Sequence, residues 1–155
     1  MKSQAKAIIV QPGAAKDLHL FGDVTSVLLG GEQTGGKLTL MHGSAPPGGG
    51  PPPHVHANED ELFLLIEGRV SFFANDCWTE VEPGGAVYLP GGVVHSFRNI
   101  GTTPSRHWII GTPSGLEKFF GQCAEEFLKA GGPDKNRILE IGRQHGIQFV
   151  EKTES

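Results

Sequence analysis

Long apolar runs are missing from this 155-residue sequence, and with them the stretch of about 20 apolar residues that a membrane-spanning helix needs. The opening MKSQAKAIIV carries a basic residue near each end and an apolar run too short for the core of an export signal. Cysteine is scarce as well. Cys77 and Cys123 are the only two, too few for a disulfide framework, and without an export signal they are expected to be reduced thiols in a cytoplasmic protein. Positive charge is gathered nowhere: 13 basic residues are scattered singly in a chain of net charge −4. Such a chain offers no cationic face to phosphates or an anionic surface, so neither nucleic acid nor membrane is expected as a partner. Internal repeats and blocks of like charge are also lacking.

What the chain has in quantity is glycine (23) and proline (11). They fall between short apolar runs, at QPG, GGEQTGG, EPGG, PGG and IGTTP, as turns do in an all-β domain. Strand-like runs lie at Ala7–Val10, Val24–Leu29, Lys37–His42, Glu61–Ile66, Arg69–Ala74, Thr79–Val81, Ala86–Leu89, His95–Asn99 and His107–Ile110. Their spacing predicts a sandwich or barrel, with a hairpin across Asn75-Asp76. From Ser114 the period changes. Ser114 with Glu117 forms a capping-box signature, and Leu116, Phe119, Phe120, Cys123 and Phe127 recur at helical spacing. A second helix is expected from about Asp134 to His145, stopped by Gly146. The length fits one domain over 1–155, a barrel over about 5–112 followed by a helical tail over 114–146.

The stretch PPGGGPPPHVHANEDELF, Pro46 to Phe63, sets two histidines one residue apart behind a run of prolines and glycines. In extended chain successive side chains alternate faces, so His54 and His56 point the same way. The prolines exclude helix and leave the imidazoles partly pre-organised as a chelating pair. Glu61 enters the next strand, where it can fold back to the same point, and His95 follows a second Pro-Gly turn in LPGGVVHSFRN. Three imidazoles and a carboxylate make a mixed N/O set suited to one divalent transition-metal ion: Fe, Mn, Ni, Cu or Zn. Period-2 alternation from Glu61 turns Phe63 and Leu65 inward, and from His95 it turns Phe97 inward, towards an apolar pocket. His42 and His107 stand at strand ends from which either can reach that pocket as a hydrogen-bond partner or proton carrier. Glu59 and Asp60 read as solvated surface.

The full pattern resembles both signature motifs of the cupin superfamily. Gly48, His54, His56, Glu61 and Gly68 reproduce the first in order and spacing; Gly84, Pro90, Gly92, His95 and Asn99 reproduce the second. The resemblance implies a double-stranded β-helix, a jelly-roll barrel, holding a metal on its axis through His54, His56, Glu61 and His95. It is specific over Gly48–Asn99, where the short inter-motif region, Arg69 to Pro83, resembles that of small microbial members. The short barrel, four-ligand set and SGLEKFFGQ tail before HGIQFV resemble relatives of the small single-domain, quercetinase-like dioxygenases. The activity so implied is oxygenation of a small aromatic or enol-type molecule, with Glu61 both ligand and proton acceptor. Isomerase or lyase chemistry on a sugar or keto acid, and non-catalytic binding of a small molecule, are the alternatives. A homodimer is expected, because the AIIV strand and the apolar helix stripe exceed what one small barrel covers.

Overall fold

The computed structural model describes residues 5–151. Residues 1–4, which open the MKSQAKAIIV stretch, and 152–155, which end the domain read over 1–155, lie outside the described residues. Eleven strands form: β1 (Asp17–Leu20), β2 (Asp23–Leu29), β3 (Thr39–Ala45), β4 (His54–His56), β5 (Asp60–Glu67), β6 (Val70–Ala74), β7 (Cys77–Val81), β8 (Ala86–Leu89), β9 (Ser96–Asn99), β10 (Ser105–Thr112) and β11 (Ile147–Phe149). Among the described residues the helices are a single turn, α1 (Gly31–Thr34), and a C-terminal pair, α2 (Leu116–Phe127) and α3 (Lys135–Gln144). Among the described residues no helix is long and apolar enough to cross a membrane.

One wall is a six-stranded sheet in the order β1-β2-β3-β10-β5-β8, every pair antiparallel. Facing it are β7-β6-β9 and β11-β4, joined by a bridge between His54 and His95. Together they close the double-stranded β-helix. Alternation decides what goes inside: on β3, Met41, Gly43 and Ala45 are buried between partly exposed neighbours, and on β5 Glu61, Phe63 and Leu65 take the inward places. The aromatic centre is Phe63 between Phe72 and Phe97, with ring centroids 5.2 and 5.6 Å away.

The motif residues that bear no donor atom build turns. Gly68 has φ of +98°, and a Cβ there would stand 2.9 Å from Ser105, so this strand end accepts only glycine. Asn99 is 1% exposed, donates to the carbonyls of Ala45 (3.0 Å) and Thr103 (2.8 Å), and accepts from the Gly101 N–H at 2.9 Å. Asn75 and Asp76 take the left-handed conformation, closing the expected hairpin between β6 and β7.

Three expectations change. Ala7–Val10 forms no strand, and Ile9 is 82% exposed: β1 is the sheet edge and pairs only with β2, so the AIIV run has no strand partner among the described residues. The barrel therefore begins at Asp17 rather than near residue 5, and it does not end at 112, because β11 returns after the helices to pair with β4. The capping box also differs. Gly115 is the N-cap of α2, and Glu117 accepts from the N–H groups of Gly115 (2.9 Å) and Gly31 (2.8 Å) and from the Thr39 hydroxyl. Burial opposes its charge, yet these bonds hold the carboxyl below its ordinary range, fastening α2 to α1 and β3. The helix stripe is used up internally: Leu116, Phe119 and Cys123 are buried on the barrel, as are Ile138 and Ile141 of α3. Both cysteines are free thiols, Cys77 exposed and Cys123 buried.

Candidate metal centre

The Pro-Gly segment ahead of β4 is pinned to β9. Gly48 N–H donates to Asn99 O (2.8 Å), Asn99 N–H to Gly49 O (2.9 Å), and the Ser96 hydroxyl to Pro51 O (2.7 Å). His54 and His95 then exchange both backbone hydrogen bonds, at 3.0 and 2.9 Å, so two ligands contributed by different motifs are locked side by side. Asp60 fixes the turn leading to His95, its Oδ1 accepting from the Gly91 N–H (2.8 Å) and its Oδ2 from the Tyr88 hydroxyl (2.7 Å). Glu61 comes from the six-stranded sheet, opposite Gly111 of β10 and Leu89 of β8.

One donor atom from each of His54, His56, Glu61 and His95 lies within 4.8 Å of the other three. His56, Glu61 and His95 are each 4% exposed. Each imidazole is set from behind. His54 Nδ1 is 2.8 Å from Pro52 O, a contact that places its proton on Nδ1, and His95 is held between Val93 O, 3.0 Å from its Nδ1, and Glu61 Oε2, 3.2 Å from its Nε2. His56 Nδ1 faces Glu59 Oε2 at 3.4 Å and its Nε2 faces Glu61 Oε2 at 3.3 Å, yet neither nitrogen has a partner with hydrogen-bond geometry. A buried imidazole with an orphaned Nε2, sharing one carboxylate with His95 and with His54 beside them both, fits a divalent cation. Although burial works against its charge, the hydrogen bond from His95 and the fields of His56 and His54 keep the Glu61 carboxyl well below the usual range. Burial, then the neighbouring imidazoles of His95 and His56, push His54 towards its neutral, metal-binding form.

Next to this cluster is a cavity of about 50 Å³. Phe63, Phe97 and Ile109 wall it from the barrel, while Phe119, Phe120 and Phe149 close it from the C-terminal elements. His107 lies on it, with ring centroids 5.4 Å from Phe63 and 5.1 Å from Phe97, and burial lowers its pKa to about 4. The His107 ring occupies the space a side chain at Gly43 would fill. Leu65 and His42 are placed elsewhere. Leu65 sits two positions further along β5, in the core beyond the cavity. His42 falls between the inward Met41 and Gly43 and so lies on the outer face, against Trp108 at 5.2 Å.

Several residues at the site were not foreseen. Glu59 is only 6% exposed, and its i,i+3 spacing from His56 across the turn was the available signal. Asp23, Thr25, Gly43 and Phe21 reach the cavity from β2, β3 and the turn between β1 and β2, where no motif marks them.

Residues 41–110 match the cupin domain family. Over 49 residues the chain is 43% identical to an oxidoreductase of Beauveria bassiana, covering 31% of this chain and 16% of that protein. Over 70 residues it is 30% identical to an uncharacterised protein of Methanocaldococcus jannaschii, covering 45% of this chain and 56% of that protein. The chain thus spans less than two thirds of either relative. The fold is similar to that of a predicted oxalate decarboxylase from Thermotoga maritima, with a TM-score of 0.63 at 20% identity, covering 68% of this chain and 99% of that one. Two motifs on a closed jelly roll, with the matching domain and the similar fold, place this region: residues 41–110 carry a cupin domain.

Proposed function

We propose that this cupin is a metal-dependent oxygenase, a dioxygenase acting on a compact enol-type substrate. The observation that carries the reading is the composition of the cavity. Its wall is largely phenylalanine, it opens on the four-ligand cluster, and no Lys or Arg lines it among the described residues. Apart from the ion itself, an anionic sugar phosphate or keto acid finds no side-chain counter-charge there among the described residues, which weighs against isomerase or lyase chemistry. The volume narrows the choice further. A protein cavity known to hold benzene measures roughly 150 Å³, so about 50 Å³ suits a small enol better than an aromatic ring. The oxidoreductase matched over 49 residues is consistent with oxidation chemistry.

In this reading His54, His56, Glu61 and His95 hold one ion of Fe, Mn, Ni, Cu or Zn, which supplies Lewis acidity and, if redox-active, electrons to dioxygen. Glu61 is charged and is the group placed to accept the substrate's acidic proton. Phe63 and Phe97 exclude water, and His107, held neutral by burial, offers a hydrogen-bond partner within the same space. The protein is further proposed to be a single cytoplasmic domain that forms a homodimer. The surface for that dimer moves from the helix stripe, now buried, to the outer face of the six-stranded sheet, where Leu64 and Tyr88 are exposed.

Elemental analysis of protein purified without added metal or chelator, followed by oxygen uptake with enolisable diketones, flavonols and thiols, tests this function. Uptake with the diketones above a metal-free control is expected. Stoichiometric metal with no oxygen consumption on any of them removes the oxygenase and leaves a binding cupin.

A further inference from the structure

One oxygen of the Asp23 carboxyl is buried with no hydrogen-bond partner among the described residues. Asp23 opens β2 immediately after the turn Phe21-Gly22, where both residues have positive φ, +52° and +81°. That conformation is strained for phenylalanine, and it is held by Phe127 and Phe149, with ring centroids 5.1 and 5.9 Å from Phe21. The turn sends Asp23 and, two residues on, Thr25 to the cavity wall. There Asp23 Oδ1 is shut away from solvent, faces the Pro46–Gly49 segment, and has no hydrogen-bond partner among the described residues. No Lys or Arg lines the cavity among the described residues to neutralise it.

We propose that Asp23 is a specificity-determining residue, whose carboxyl hydrogen-bonds a second oxygen function of the substrate while the first is presented to the histidine cluster. This rests on the cavity being the substrate site. A buried polar group without a partner costs stability, and such a group persists where a ligand supplies the missing bond. In the sheet order β3 and β10 separate β2 from β5, which carries Glu61, so the two carboxyls meet different parts of a bound molecule. Burial raises the Asp23 pKa to about 7, so a large share of it is neutral near neutral pH and able to donate as well as accept. The titratable groups sharing its cavity are His54, His56, Glu61, His95 and His107. The substrate class that fits is neutral, compact and bifunctional in oxygen, with an apolar middle lying on Phe63, Phe97 and Ile109.

The test uses zinc-loaded protein and three glycols, ethylene, trimethylene and tetramethylene, each against the monoalcohol of the same carbon number. Affinities are read from NMR shifts of the Phe63, Phe97 and His107 ring protons. The parent should bind the best-spaced glycol about tenfold more tightly than its monoalcohol, the scale of one well-made hydrogen bond. Asp23→Leu should bring that ratio to about one with monoalcohol affinity unchanged, and the near-isosteric Asp23→Asn should lower it about threefold. Asp23→Asn should also melt no lower than the parent, since it removes a carboxyl that no protein group satisfies. A parent without glycol preference, or a preference that survives in Asp23→Leu, overturns the role of Asp23 and leaves the cavity as a binding site. Failure of every probe to bind overturns both.

Discussion

The two sides of the cavity are built on opposite principles. On the histidine side each imidazole has a group behind it, a carbonyl for His54 and His95 and the Glu59 carboxylate for His56, and the strands bearing His54 and His95 are bonded to each other. On the β1–β2 side a strained turn at the sheet edge presents an aspartate with an unsatisfied oxygen. A metal tolerates little error in the placing of its ligands, so rigidity there is set by the protein alone. The far side is completed by whatever binds. Pre-organisation and unmet hydrogen-bonding capacity are thus divided between two walls only a small cavity apart.

The largest effects should break the histidine side. His54→Ala removes one arm of the chelate and should release most of the ion, because the remaining ligands lose a pre-organised partner. Glu61→Gln should retain more metal than turnover, with turnover falling about 10²-fold or more if Glu61 is the base. Metal stoichiometry and oxygen consumption on the same preparations separate the two, and a Glu61→Gln protein that consumes oxygen at the parental rate would show the base to be another group. Next in size is Glu59→Gln. Losing the carboxylate behind His56 should weaken metal affinity by about 10- to 100-fold, the usual range for a group that orients a ligand, measured by competition with a chelator. An unchanged affinity would mean that His56 is oriented without it.

A smaller effect is expected where the two sides meet. In Gly43→Ala the new methyl collides with His107 Nε2, and stability should drop by about 1–3 kcal/mol, as for other overpacked sites. Adding His107→Ala should restore part of that loss in urea melts; no restoration would place the collision elsewhere. The last effect concerns pH. Asp23 is raised from 3.8 to about 7 in the folded protein, so the native state binds its proton more tightly than the unfolded chain does. Its contribution is complete below the unfolded pKa and is lost as pH rises through about 7. The melting temperature of the parent relative to Asp23→Asn should therefore decline between about pH 4 and 8. A pH-independent difference would show that Asp23 titrates normally.

The histidine side was readable in the sequence because its geometry is local. Two histidines on one short strand, a glutamate at a strand entry and a histidine after a Pro-Gly turn are each fixed by nearby backbone, so spacing carries the information. Phe63 and Phe97 followed from alternation, whereas His42, expected to reach the pocket, lies on the outer face because β3 runs on to Ala45. Nothing local marks Asp23. It follows a Phe-Gly turn whose left-handed phenylalanine is imposed by Phe127 and Phe149, residues from far along the chain. Glu59 was read as solvent-exposed from its position in an acidic run, whereas burial comes from the turn folding it back beneath His56. The AIIV run shows the reverse error: strong β propensity without a neighbouring edge produced no strand.

The pairing of β11 with β4 sets Phe149 opposite His54 and Ile147 opposite His56. The ligand strand therefore obtains its neighbour from the far end of the described chain, a non-local contact of the kind that forms slowly. During synthesis the His-x-His strand waits with one side of its backbone unpaired until the two helices have been made and have folded back. Assembly of the centre is a late event, and a chain released before Ile147 exposes two histidines on an open strand edge, the kind of surface that recruits other chains into aggregates.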